Sequence, residues 1–231
     1  MNRDLTVGKP ERVLWQYCMP LFGSIIFQQL YNMADTIIVG RFVGSDALAA
    51  VGSTGTIMFL IGGFSQGITA GFSVLTAQRF GARDEDGVKI SVANGILLSL
   101  IFTAVISTFS MLGMHSLLKL MNTPENIFQD AYTYIMIISA GIIATIFYNL
   151  FSSYLRAVGN SKIPLIFLVF SAVLNVILDL VFIINFKMGV AGAACATILS
   201  QGVSAVLCLV YIYTKMPTLA PARQHWRLHG K

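Results

Sequence analysis

The sequence predicts an all-α membrane protein of six transmembrane helices, and three observations carry that reading. Hydrophobic residues fill 56% of the 231 positions and charged ones only 11%, whereas soluble domains carry about 25% charged residues. The apolar residues gather into six runs, each long enough to cross a bilayer as a helix, which takes about 20 residues. Lysine and arginine also divide unequally between alternate connections, as the positive-inside rule expects.

In chain order the runs are 13–40, 48–78, 88–112, 130–155, 163–186 and 189–214. The first two are long enough to tilt or to extend past the hydrocarbon layer. Pro20 removes a backbone hydrogen bond inside the first run and predicts a bend there. The second run carries Gly52, Gly55, Gly62, Gly63, Gly67 and Gly71. The sixth carries Gly189, Ala191, Gly192, Ala193, Ala194 and Ala196. Both read as surfaces where helix backbones approach closely in lipid.

With the N-terminus in the cytoplasm, six spans return the C-terminus to the same side. The inner segments then hold Arg3, Lys9, Arg12, Arg79, Arg83, Lys89, Arg156, Lys162, Lys215, Arg223, Arg227 and Lys231, against Arg41, Lys119 and Lys187 outside. That bias sets the orientation. The expected location is the plasma membrane (the inner membrane of a two-membrane cell), with both termini cytoplasmic. A net charge of +5 does not indicate nucleic acid, because the basic residues are spread over loops and form no stripe. Cys18, Cys195 and Cys208 lie within apolar runs with no CxxC and read as small hydrophobes. The first ten residues lack the apolar core and cleavage site of a signal peptide.

Of the ten acids, only Asp35 and Asp179 lie well inside spans. A carboxylate at such a place costs about 2.5–3.5 kcal/mol on insertion scales, and chains that keep one use it. Asn175 shares a helical face with Asp179. The helical rise puts Asp35 at roughly 9 Å, Asp179 at roughly 10 Å and Thr197 at roughly 12 Å below the outer surface. Tyr134 comes out at roughly 6 Å and Asn175 at roughly 16 Å. Four helices thus place polar groups in the outer half of the membrane. Taken singly, Thr197 and Asn175 also read as residues bonding backbone or a neighbouring helix, and Tyr134 as an interfacial aromatic. Joined, they form one hydrogen-bonded carboxylate cluster. Such a cluster can load and release a proton. Alternatively, Asp179, Asn175 and Thr197 offer the hard oxygen donors that hold Na⁺. Either ion would alter the charge of the cluster and bias helix packing.

Several segments then resemble the multidrug and toxic compound extrusion (MATE) transporters. They are Asn32-Met-Ala-Asp35 through Gly52, Gln78-Arg-Phe-Gly-Ala82, Leu155-Arg-Ala-Val-Gly-Asn-Ser-Lys-Ile-Pro164, and Gly189 through Gln201. The resemblance implies an exporter, not an enzyme, that expels cationic or amphiphilic compounds in exchange for Na⁺ or H⁺ and uses no cofactor. It implies that Asp35, Asn175, Asp179, Thr197 and Tyr134 bind the coupling ion, that Asn149 lines the substrate cavity, and that Pro20 bends the first helix.

Family members have twelve helices in two lobes. By that measure residues 1–214 form the N-terminal six-helix lobe, and 215–231 begin a cytoplasmic linker to a C-terminal lobe that the chain lacks. A truncated piece is the expected explanation, with a parallel homodimer as a lesser one. Rival readings are a related lipid flippase, which favours a strongly cationic cavity, and an inactive piece of a transporter. An intramembrane aspartyl protease fails because Val176-Ile177-Leu178 precedes Asp179 in place of a Gly-x-Gly motif.

Overall fold

A computed structural model describes residues 10–222, 225 and 226, with the side chains of residues 10, 12 and 13 left aside. Arg3, Lys9, Arg223, Arg227 and Lys231 from the charge count, the side chain of Arg12, and the stretch read for a signal peptide lie outside the described residues. Among those described, the elements are α1 (Pro10–Phe42), α2 (Ser45–Gly81), α3 (Glu85–Leu120), α4 (Glu125–Ala140), α5 (Ile142–Ala157), α6 (Lys162–Leu180), a π-helical turn (Val181–Asn185) and α7 (Gly189–Lys215).

Short connections make successive rods antiparallel. The α2–α3 and α5–α6 turns therefore share one end of the bundle with the start of α1, and this is called the lower end below. That end is stitched by side chains. Tyr17 Oη donates to the Arg156 carbonyl at 3.1 Å, and Ser161 Oγ donates to the Tyr17 carbonyl at 3.2 Å. At the α2–α3 turn Asp84 caps α3 by accepting from the Gly87 amide at 2.9 Å. It also pairs with Arg79 at 2.7 Å, and that guanidinium, helped by the Gly87 amide, holds the Asp84 carboxyl below the usual carboxylate range.

Among the described residues, four helices (α2, α3, α7, and α6 with its π turn) are long and apolar enough to cross a membrane, and α4 with α5 makes a fifth if the bent pair is one span. Helix α1 is long, but Gln28, Gln29, Asn32 and Asp35 interrupt its apolar run. It continues unbroken through Pro20, whose carbonyl accepts from Ser24 Oγ at 2.9 Å.

The fourth expected span, 130–155, differs from a single rod. Helices α4 and α5 meet at Gly141 with a bend of 49°. The reason is local: the Ile198 side chain of α7 occupies the space a Cβ on Gly141 would need. Beyond the bend, Thr145 hydrogen-bonds Gln201 of α7.

The small-residue reading divides. In α7, Ala193, Ala194 and Ala196 are fully buried, and a Cβ on Gly192 would press on Phe182 and Met188. The α2 glycines behave otherwise. Nothing lies within 4 Å of where a Cβ would sit on Gly52, Gly55, Gly62, Gly63, Gly67 or Gly71, so they mediate no close packing inside this bundle. Cys208 is buried, while Cys18 and Cys195 are only partly so, and all three are free.

The core has two levels. The lower one joins Val88 and Val92 of α3, Leu150, Tyr154 and Leu155 of α5, and Cys208 and Ile212 of α7. The upper one joins Ile38 and Val39 of α1, Tyr134 and Ile138 of α4, Ile183, and Val190 with Ala193 of α7.

Gly141→Ala should lower the melting temperature of the purified chain by an amount equivalent to about 1–3 kcal/mol of overpacking. Ile198→Ala should recover most of that loss in the double variant. A Gly141→Ala protein that melts with the wild type would show that Ile198 does not set the bend.

Candidate functional site

The upper half of the bundle carries the polar residues. Asp179 ends the last regular turn of α6 and is fully buried, as is Asn175 one turn earlier on the same face. Immediately after, the helix loosens into the π-helical turn Val181–Asn185, a distortion that recurs where helices carry function. Asp35 on α1 is 8% exposed and Tyr134 on α4 is 6% exposed. Thr197 on α7 is partly buried.

These side chains meet. The carboxyl groups of Asp35 and Asp179 are near enough to interact directly with each other. Asn175 Nδ2 donates to Thr197 Oγ1 at 3.5 Å. The Tyr134 hydroxyl is close enough to both aspartates to feel their charge. The cluster therefore draws on α1, α4, α6 and α7.

Its most telling property is what remains unpaired. Asp35 Oδ1, both carboxylate oxygens of Asp179 and Asn175 Oδ1 are buried without a hydrogen-bond partner. Among the described residues, the Arg79–Asp84 ion pair and the approach of His225 to Asp86 both lie at the lower end, so neither reaches the aspartates. Buried polar groups are normally satisfied, and an uncompensated buried carboxylate costs several kcal/mol on the order of its desolvation. Two facing carboxylates need a proton or a cation between them. The donor set, two carboxylates with an amide and several hydroxyls, fits H⁺ or a hard monovalent cation such as Na⁺.

Two members were not singled out in the sequence. Tyr31, 7% exposed, sits one turn before Asp35, and its hydroxyl lies beside Thr197 and the fully buried Ser200. Helical spacing offered the signal: Tyr31 is at i−4 from Asp35, and Ser200 at i+3 from Thr197. Ser200 Oγ donates to the Thr197 carbonyl at 3.0 Å.

Two expected residues lie apart. Asn149 is half-buried on α5, beyond the Gly141 bend, on a different helix from every member of the cluster. Pro20 stands on α1 towards the lower end.

Asp179→Asn should raise the melting temperature of the purified chain in alkaline, Na⁺-free buffer. The gain is bounded by about 4 kcal/mol, the repulsion of two unit charges about 4 Å apart at an effective dielectric of about 20. A variant that melts at or below the wild-type temperature under those conditions would remove the case for mutually uncompensated carboxylates.

The MatE family model matches residues 20–181. The chain is 33% identical over 228 residues to a probable multidrug resistance protein, YpnP, of Bacillus subtilis, covering 96% of this chain and 51% of that one. It is 25% identical to a FAD transporter of Shewanella oneidensis, covering 82% of this chain and 42% of that one. Among solved structures it resembles the outward-facing conformation of a multidrug resistance MATE family transporter, with a TM-score of 0.88 and 29% identity, covering 96% of this chain and 49% of that one. A transporter from Pyrococcus furiosus, whose binding pocket is described as reversed in polarity, matches with the same score, identity and coverage. The chain thus spans about half the length of the relatives it matches.

Proposed function

The chain belongs to the MatE family, and from that premise we propose that it is the N-terminal lobe of a cation-coupled multidrug efflux antiporter, with the Asp35–Asp179 cluster as its ion-coupling site. The observation that carries the reading is the pair of facing, buried carboxylates with unpaired oxygens.

The coupling follows from electrostatics. With H⁺ or Na⁺ between them, Asp35 and Asp179 hold α1 against α6. Once the ion leaves, the two charges repel and the packing that tolerated them is no longer favoured. Asn175 uses its amide nitrogen on Thr197, which turns its carbonyl oxygen toward the ion. Asp179, Asn175 and Thr197 would then contribute oxygens to a bound Na⁺, while Tyr134 and Tyr31 stabilise whichever charge is present. Pro20, which leaves a missing rung in α1, is where that helix yields, and Asn149 lines the path of the cargo below the cluster.

The cargo is small cationic or amphiphilic compounds, attracted by the acidic interior. That interior also weighs against a lipid flippase, whose cavity would be cationic. The protein works in the plasma membrane with both termini in the cytoplasm, in keeping with the lysine and arginine bias. Its partner is a second six-helix lobe. In support, α2 presents its six unpacked glycines beside the exposed Phe59, Leu60 and Phe64, a face open to another backbone.

The test uses a two-lobed transporter containing this lobe, in vesicles driven separately by a Na⁺ or a pH gradient. Asp35→Asn and Asp179→Asn should each insert normally and abolish efflux driven by one of the two gradients. Full gradient-driven efflux in both variants would sink the site assignment, and efflux driven equally without any gradient would sink the antiport.

A further inference from the structure

The stretch after α7 does not leave the bundle. Met216, Leu219, Pro221 and His225 are buried, while Pro217, Ala222 and Trp226 are exposed, so one side of the stretch faces inward. Leu219, with no exposed surface, and Met216 join the lower core beside Val88 of α3 and Leu155 and Val158 at the end of α5. Tight backbone bonds fold the segment: Leu219 N donates to the Met216 carbonyl at 2.9 Å, Ala220 N to the Pro217 carbonyl at 3.3 Å, and His225 N to the Ala222 carbonyl at 3.0 Å.

The far end is fixed by His225. Its Nδ1 accepts from the Ala222 amide at 3.0 Å. An imidazole nitrogen that accepts carries no proton, so the proton sits on Nε2. Nε2 in turn faces Asp86 Oδ1, in the first turn of α3, at 3.6 Å. Asp86 is itself well exposed, and a contact at the surface rim contributes little alone. Apolar burial at Leu219 holds the segment down, and the His225–Asp86 contact fixes where its end lies.

We propose that residues 216–222, with His225, form a latch that ties α7 to the start of α3. The consequence concerns α7, which carries Thr197 and Ser200 of the polar cluster. With its lower end held against α3 and α5, α7 moves with those helices as one body. This inference rests on the packing of the lower end and is independent of the transport reading.

The experiment measures maleimide labelling of the purified 231-residue chain in detergent, read residue by residue by peptide mass spectrometry so that the native cysteines do not interfere. Leu219→Cys should react about tenfold more slowly than Pro217→Cys, two positions away, because it reacts only when the latch opens. Asp86→Ala in the Leu219→Cys background should speed that labelling about threefold, the scale of a weak surface contact. Equal rates at 217 and 219 would overturn the docked segment, and an unchanged rate with Asp86→Ala would overturn the anchoring by His225. Should Leu219→Cys not fold, Pro221→Cys against Ala222→Cys makes the same inward–outward comparison, with slow labelling at 221 expected and equal rates overturning the proposal.

Discussion

Two carboxylates facing each other away from water are the constraint around which the upper half of this bundle is arranged. Asp35 and Asp179 lie on different helices and have no basic partner among the described residues. An apolar surround would make that arrangement untenable, because the interaction of two like charges grows as the local dielectric falls. The surround is polar instead. Tyr31, Tyr134, Asn175, Thr197 and Ser200 approach from α1, α4, α6 and α7, and α6 gives up regular helical geometry two residues past Asp179, at Val181. On the proposed reading, helix packing and ion occupancy are one equilibrium, and a change in the charge between the aspartates shifts how α1 sits on α6.

The lower half has the opposite character. Leucine, valine and tyrosine from α3, α5 and α7 fill it without a carboxylate, and Tyr17, Ser161 and Arg156 stitch α1 to the α5–α6 turn. The Gly141 bend falls between the two halves. Helix α4 contributes Tyr134 to the polar level, and α5 contributes Tyr154 and Leu155 to the apolar one. One apolar run thus serves two environments, and the bend lets its halves take separate orientations. Interiors pack too densely to deform continuously, so a site that must rearrange benefits from a break separating it from a core that must not.

The parts of this molecule legible in the sequence are those where a residue is expensive out of place. Asp35 and Asp179 stood out because a carboxylate in an apolar run demands a reason, and helical rise alone brought Tyr134, Asn175 and Thr197 to a similar level. Tyr31 and Ser200 were not legible in that way, because a tyrosine or serine in a span is cheap and has many uses; only their spacing from Asp35 and Thr197 marked them. The break at Gly141 was hidden for a similar reason. A single glycine in an apolar run signals nothing until Ile198 of a helix distant in sequence claims the space beside it. The docking of Leu219 was hidden because 215–231 reads as the start of a linker by resemblance, while its burial in the lower core is a tertiary fact.

The α2 glycines carry the last step. Each glycine in a helix interior costs up to about 1 kcal/mol relative to alanine, and this helix holds six of them with nothing packed where a Cβ would stand. Lipid does not offset that cost, because acyl chains pack against alanine or leucine at least as well. What rewards a glycine in a membrane helix is something rigid at close range, a second backbone or a bound molecule. Within this bundle α7 meets that condition, with Gly192 pressed against Phe182 and Met188, and α2 does not. The chain spans about half the length of its relatives, and it presents this close-approach face on a helix adjacent to the one that carries Asp35. On the proposed reading, the cluster is the switch and the glycine face is the surface on which a second lobe registers it.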